Sequence, residues 1–543
     1  MKRLFALLAA LLLLLSGQVA AENLYVAPVA AGSADGSSSC SNAWGGLGAV
    51  VWGIGAGKVS AGDTLYVCPG TYSIKTTGAQ LNVGTSGSVG NPITITAADT
   101  ADKPVLDGAY VAGCTPGTNC SGDLINNSNG RIYIIVQNLI LQNCAGNDCI
   151  IMAGTQTGSI VQNNIIRGTN IKYGVYGYQA TNLKVLANDI AGCRGVGIYV
   201  YTATNLGTAD ADVIQHNAVH DNPGVGIRVS GHLVNISCGK PALACQADSY
   251  ATNAQVLDNT VYGNGSGIYH VAARGVLTQD NLVYGNIDTS VVPVENYGMA
   301  GEICDQCSWV HNEVYGNASK GLETWGTDLS TTSSLTVARN YIHGNNTRGT
   351  LYACELDLNH DVGDVAAGSN INIYSNIFVG TCVVLHGAYT GVTVYNNTLY
   401  GGAAVSGLSG LFLPAETFDL TLKNNIIRAI NTYTLWSADA GISGTFIHTN
   451  NAYFTDGAVV VRSASINYTA PNWEASAIAS DLLFQNASGV NGYQLQPTSP
   501  ALRAGTFVGP YHDYLNRRFR EPPSIGAFEQ ASRSIVSSRT VRN

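Results

Sequence analysis

One phrase recurs along the middle of this 543-residue chain: Asn, any residue, a β-branched residue, Tyr or His, then Gly-Asn. It reads Asn259-Thr-Val-Tyr-Gly-Asn264, Asn281-Leu-Val-Tyr-Gly-Asn286, Asn312-Glu-Val-Tyr-Gly-Asn317 and Asn340-Tyr-Ile-His-Gly-Asn345. Degenerate copies begin at Asn138, Asn164, Asn188, Asn217, Asn376, Asn397, Asn425 and Asn451. The first Asn returns at intervals of roughly one to two dozen residues, stretching where loops intervene, and a period of that size signals stacked coils. Each copy holds a strand too short for a helix and unable to bury both faces alone. Stacking one coil on the next supplies the missing neighbour. The Asn side chains are expected inside, each amide bonded to the Asn of the next coil in a ladder.

Charged residues are 11% of the chain, less than half the usual share. With 63 Gly and mostly Tyr among the aromatics, this mix suits a long β structure covered by uncharged polar side chains. A net charge of −9 argues against nucleic acid as a partner and leaves no basic arm for a membrane surface. Met1 to Ala21 carries Lys2 and Arg3, an apolar run from Leu4 to Leu15, and Val19-Ala20-Ala21 before Glu22. That is the pattern of a secretory signal peptide, with a run too short to span a bilayer. The mature chain is expected to be secreted, extracellular or periplasmic, as an unanchored monomer.

Thirteen Cys in an exported chain point to disulfides. Close pairs are Cys114 with Cys120, Cys144 with Cys149, Cys238 with Cys245, and Cys304 with Cys307. Cys40 with Cys68 and Cys354 with Cys382 lie about one coil apart and can staple neighbouring turns. Cys193 is left over, at the place of the second Asn in its copy of the phrase, and is expected as a buried small hydrophobe. Cys304-Asp-Gln-Cys307 lacks the second Cys pair or His cluster of a zinc site, so a local disulfide is expected there.

Residues 1–21 thus form the signal segment, 22–107 an entry cap with the first coils, 108–454 the main run of coils, 455–530 a closing segment, and 531–543 a polar tail. Leu47 to Ile54 is expected as a short capping helix, weakened by its two glycines. Gly62-Asp-Thr-Leu-Tyr-Val followed by Gly70-Thr-Tyr72, the repeated phrase, and Ser499-Pro-Ala501 followed by Ile525-Gly-Ala-Phe-Glu529 resemble secreted bacterial right-handed parallel β-helix proteins, the pectin-lyase-like superfamily. The resemblance implies an all-β, single-stranded right-handed parallel β-helix of about a dozen coils, capped at both ends. It covers nearly all of the mature chain and implies action on polysaccharides, but it spans lyases, hydrolases, epimerases and non-catalytic surface proteins. The Asp-Pro-His motif of mannuronan epimerases is absent, as are the motifs that place the Arg or Lys base of pectate lyases.

After each phrase a second strand, often opened by Gly, should stack with its counterparts into one parallel sheet. Aligned, Gly197-Ile-Tyr199, Gly226-Ile-Arg228, Gly267-Ile-Tyr269, Gly301-Glu302, Gly321-Leu-Glu323, Ala353-Cys-Glu355 and Leu385-His386 place Tyr199, Arg228, Tyr269, Glu302, Glu323, Glu355 and His386 in one outward column. Three glutamates on rungs about 4.8 Å apart repel one another. They need a cation, a neighbouring Arg or a shared proton, and each is a hallmark of a site. Asp305, Asp328, Asp357, His360 and Asp361 thicken the patch. The plain alternative is a solvated acidic face.

Two catalytic readings fit. In the first, Glu302, Glu323, Glu355 and Asp357 hold Ca²⁺, which neutralises a substrate uronate while a base among Arg228, Tyr269, His270, Arg274 and Lys320 removes the adjacent proton, giving a lyase. In the second, two carboxylates roughly 5 or 9 Å apart cleave a glycosidic bond as a hydrolase. Tyr199, Trp325, His386, Arg274 and Lys320 are the candidate sugar contacts, with Tyr201 and Trp325 able to stack on rings. His270 alternates inward and reads as a core histidine, and Lys320 reads as a solvated turn lysine. The lyase is the favoured expectation, with a hydrolase or a non-catalytic carbohydrate-binding stalk as the alternatives.

Overall fold

The computed structural model describes residues 21–74, 80–108, 123–144, 148–202, 211–233, 247–287, 296–325, 334–349, 353–359, 368–386, 389–403, 410–413, 418–430, 433–437, 444–455, 461–463, 466–509 and 511–530. The signal segment, the polar tail, Cys114 with Cys120, Cys238 with Cys245, and Asp328, His360 and Asp361 lie outside them. The chain divides into two units, residues 1–189 and 190–543.

In the second unit the phrase is a strand between two corners. Asp258 (φ 51°) turns the chain before Asn259, strand Thr260–Tyr262 follows, and Gly263 (φ 64°) turns it again before Asn264 and strand Ser266–Arg274. Both corners need the left-handed region, which Gly enters freely and Asp or Asn tolerates. This explains the Gly-Asn of the phrase. Successive coils pair in parallel, Thr260 with Leu282, Leu282 with Glu313, and Glu313 with Tyr341.

The ladder expected from the Asn residues is present twice. Asn281 Oδ1 accepts from the backbone N–H of Asn259 at 2.9 Å and from its Nδ2 at 3.0 Å. The same pattern runs through Asn217, Asn259, Asn281, Asn312, Asn340, Asn376, Asn397, Asn425 and Asn451. A parallel ladder joins Asn222, Asn264, Asn286, Asn317 and Asn345. Each ladder ends on a glutamate, the first on Glu474 and the second on Glu355. A carboxylate suits the last rung, because it accepts the final amide's protons and leaves no donor of its own unmet.

The following strands carry an inward apolar stack: Ile198, Ile227, Ile268, Met299, Leu322, Leu356, Val383, Leu411, Leu435 and Val461 sit on consecutive rungs, all buried. Each such side chain contributes about 1.5–3 kcal/mol on burial. The glycine opening these strands has a steric cause, since a Cβ at Gly197, Gly226, Gly267, Gly298 or Gly321 would lie 2.6–3.2 Å from a ladder Asn Nδ2. The segment from Ile478 to Glu529 lies against this unit's coils, with Ile525 buried beside Ile426 and Ala452, and Tyr514 and Phe528 beside Tyr341 and Ile377.

The first unit is built the same way. Asn23–Ala27, Thr64–Val67, Ile93–Ala97, Ile134–Gln137, Ile160–Gln162 and Lys184–Leu186 pair in parallel in that order. Its ladder joins Asn164 to Asn188. Asn138 is not a rung: it is the left-handed corner residue (φ 62°), and Leu139 takes the rung, giving only its backbone N–H to Asn164. Of the expected capping helix only a 3₁₀ turn at Leu47–Ala49 forms, since Gly53 and Gly55 adopt conformations no helix allows. Disulfides Cys40–Cys68 and Cys144–Cys149 form here and Cys354–Cys382 in the second unit, as the spacing predicts. Among the described residues no helix is long and apolar enough to cross a membrane.

Candidate active site

The outward faces of the strands in the second unit form two neighbouring columns, not one. The first runs Tyr199, Arg228, Tyr269, Ala300, Glu323, Asp357, Val384, Phe412, Trp436 and Arg462. The second, two residues further along each strand, runs Tyr201, Ser230, Val271, Glu302 and Trp325, and the backbone register continues it to positions Asn359 and His386. Tyr199, Arg228, Tyr269 and Glu323 therefore stand where the alignment predicts. Glu302 and His386 belong to the second column, because the strand carrying Glu302 opens at Gly298 and not at Gly301.

Glu355 is in neither column. It precedes strand Leu356–Asn359, is 1% exposed, and turns inward to accept from Asn345 Nδ2 at 2.6 Å and from the Thr381 N–H at 3.3 Å. Burial raises its pKa to about 7, partly offset by the Asn345 hydrogen bond. It terminates a ladder and faces no substrate.

The rung it was predicted to fill belongs to Asp357, directly beside Glu323. Both carboxylates bind the Lys320 ammonium, Glu323 through Oε1 and Asp357 through Oδ2 at 2.8 Å. Lys320 is 8% exposed, Glu323 1% and Asp357 5%. Burial alone would lower the lysine pKa, but the two carboxylates more than offset it and hold the group protonated. The solvated turn lysine of the sequence reading is thus a buried counter-ion, and it is no base. The cation that adjacent carboxylates require is part of the chain.

One rung from Ala300, on the other side, the arrangement is open. The Arg228 guanidinium lies between two rings, 5.2 Å from the centroid of Tyr199 and 5.4 Å from that of Tyr269. No carboxylate among the described residues pairs with it. Tyr269 donates its hydroxyl to Glu302 Oε2 at 2.5 Å. Burial, and next the charge of Glu302, push the phenol well above its ordinary pKa, so it keeps its proton. Trp325 stacks on Tyr269 at 5.8 Å and meets Tyr297 at 5.5 Å. Left-handed residues Ala272 (φ 47°) and Ile303 (φ 52°) bend the two strands. Beyond the bend Arg274 pairs with Asp305 at 2.8 Å and lies 4.1 Å over Tyr250.

His270 is buried inward, bonded through Nε2 to Thr278 Oγ1 at 2.7 Å, and burial lowers its pKa to about 3, as a core histidine requires. Cys193 is buried, as expected. Cys304 and Cys307 are buried free thiols and not the expected disulfide; they sit in the apolar interior, where Cys307 Sγ donates to the Ala273 carbonyl and burial raises the Cys304 thiol. The four carboxylates predicted to share calcium are dispersed: Glu302 is held by Tyr269, Glu323 and Asp357 by Lys320, and Glu355 by Asn345. Among the described residues no three His, Cys, Asp or Glu groups converge as a metal site. These four therefore do not fit a common calcium ion. What sequence reasoning missed is Tyr297 beside Trp325, whose signal was the Tyr preceding the true opening glycine, Gly298.

The model of the right handed beta helix region matches residues 121–299. The chain is a right-handed parallel β-helix, which bears out the resemblance to the pectin-lyase-like superfamily at the level of fold. Among solved structures, the chain is similar to a pectate lyase, Pel9A, at 15% identity and TM-score 0.29, over 95% of this chain and 98% of that one. It is similar to alginate lyase AlyF-OU02 at 14% and 0.45, over 81% and 86%. It is also similar to the GH136 lacto-N-biosidase from Eubacterium ramulus at 11% and 0.44, over 81% and 68%. No curated protein matches the sequence.

Proposed function

We propose that the protein is an exported lyase that binds an acidic polysaccharide along the outer columns of the second unit and cleaves it by β-elimination at Arg228, Tyr269 and Glu302. One observation carries this reading: among the described carboxylates on that face, Glu302 is the one without a basic side-chain partner, while Arg228 is a cation that no described carboxylate pairs with. A hydrolase needs two working carboxylates. Glu323 and Asp357 are tied to Lys320, Asp305 to Arg274, and Glu355 is turned inward.

A lyase needs a cation for the substrate carboxylate, a base and an acid, and these three residues supply them. Arg228 neutralises the uronate, which acidifies the adjacent C–H. Glu302 takes that proton, the bond to the leaving sugar oxygen breaks, and a carbon–carbon double bond forms. Tyr269, still protonated, gives its proton to the leaving oxygen and regains one from Glu302. Trp325 and Tyr297 offer ring faces for the flanking sugars. The test is a screen of polyuronates for an ultraviolet-absorbing unsaturated product. New reducing ends without absorbance would replace the lyase by a hydrolase, and binding without either would leave a non-catalytic stalk.

A further inference from the structure

The first column does not stop at the acidic rungs. Val384, Phe412, Trp436 and Arg462 continue it in register. Phe412 and Trp436, half-buried, rest on an apolar base made by Val384 and the Cys354–Cys382 disulfide. Their rings are 4.9 Å apart and tilted by 40°, and Tyr433 meets Trp436 at 6.5 Å and 49°. The Arg462 guanidinium lies 5.6 Å from the Tyr433 centroid and 5.7 Å from that of Trp436. An arginine over two aromatic rings is the arrangement already present at Arg228, Tyr199 and Tyr269.

A second aromatic row shows why the tilt matters. His220, Tyr262, Tyr284, Tyr315 and His343, the Tyr or His of the phrase, stack at 4.8–5.1 Å with planes within 13° of parallel. Rings stacked that flat cover one another's faces and offer a ligand only edges, so that row is a brace. Rings inclined by 40° and 49° turn part of each face outward, which is what the C–H face of a sugar needs.

We infer that Phe412, Tyr433, Trp436 and Arg462 form a distal subsite that holds a sugar ring of the same acidic chain whose reacting ring lies at Arg228. The inference rests on the lyase reading for the identity of the chain, and on the register for its path. Trp436 is seven rungs from Arg228, roughly 34 Å at about 4.8 Å per rung. A ligand must be several sugars long to touch both, so affinity should rise with chain length.

The test is binding, so that it does not depend on cleavage. The Glu302→Gln protein is titrated with the polyuronate that the product screen selects, or failing cleavage with the one retained most strongly, and with a short oligomer of it that cannot span the seven rungs. Adding Trp436→Ala is expected to weaken polymer binding about tenfold, with the short oligomer unmoved. Trp436→Phe should restore most of the loss, and equal thermal unfolding temperatures exclude a folding effect. Polymer affinity unchanged by Trp436→Ala in the folded protein overturns the subsite while leaving the lyase reading intact. An equal loss for the short oligomer also overturns it. Failure of the parent protein to bind any polyuronate overturns both.

Discussion

Two charge clusters sit one to three rungs apart on one face, and they are opposites. Around Lys320, two buried carboxylates share one buried ammonium. Around Arg228, the cation leans on tyrosine rings and the carboxylate of Glu302 is held by a phenol. The first cluster is buried around its own counter-ion, and in the second the cation and the carboxylate have no ion-pair partner among the described residues. On the proposed reading, density of acidic residues marks the scaffold, and an arginine without a carboxylate partner marks the site.

The contrast breaks most visibly at Lys320. Lys320→Met strands two buried carboxylates and should destabilise the protein by about 3–5 kcal/mol, read by denaturant unfolding, while the molecules that remain folded keep their specific activity. Arg228→Met should do the reverse: a substrate carboxylate loses a charged partner, costing about 1.5–3 kcal/mol in kcat/KM, with the unfolding midpoint little moved. A large stability loss at Arg228 and none at Lys320 would invert the comparison. Away from both clusters, Asn281→Ala leaves the donors of Asn259 without their acceptor and should cost about 1–3 kcal/mol of stability without changing KM.

A pH-dependent effect is expected in the first unit, where Asp123 and Asp148 solve the same problem with a proton instead of a lysine. Burial, and then the charge of Asp123, raise the Asp148 pKa to about 8 against the pull of Lys172, and burial raises Asp123 to about 6. A raised carboxyl pKa favours the folded state at low pH, and that advantage is lost as pH climbs through the folded value. Asp148→Asn mimics the protonated group. Its unfolding temperature should match the parent's near pH 4, exceed it increasingly as pH rises toward 8, and hold a constant gap above that; a gap that widens on acidification would contradict the assignment.

The sequence made the ladders legible because Asn and Gly recur at fixed places for steric and hydrogen-bonding reasons that do not depend on loops. It also placed Tyr199, Arg228 and Tyr269 on successive rungs, since each strand opens Gly, apolar, outward residue. The register slipped where that rule had two readings. Gly298-Met-Ala300 and Gly301-Glu302 both begin with Gly, but only the first puts an apolar side chain inward. At the next slip Glu355 replaces the opening glycine, because the next coil brings Thr381 and not another ladder Asn, so the Glu355 carboxylate ends the ladder in the space beside Gly380, where a Cβ would strike it. The role of Lys320 was not legible, for burial of a turn residue depends on how two later strands pack over it.

On the lyase reading, Glu302 is the group that takes the proton. The direct measurement is the rate of ultraviolet-absorbing product from a cleaved polyuronate, parent against Glu302→Gln, both shown folded by their unfolding curves. The expected result is a loss of at least about a hundredfold. A Glu302→Gln protein that forms the unsaturated product at the parent's rate would contradict the assignment of this cluster as the reaction centre.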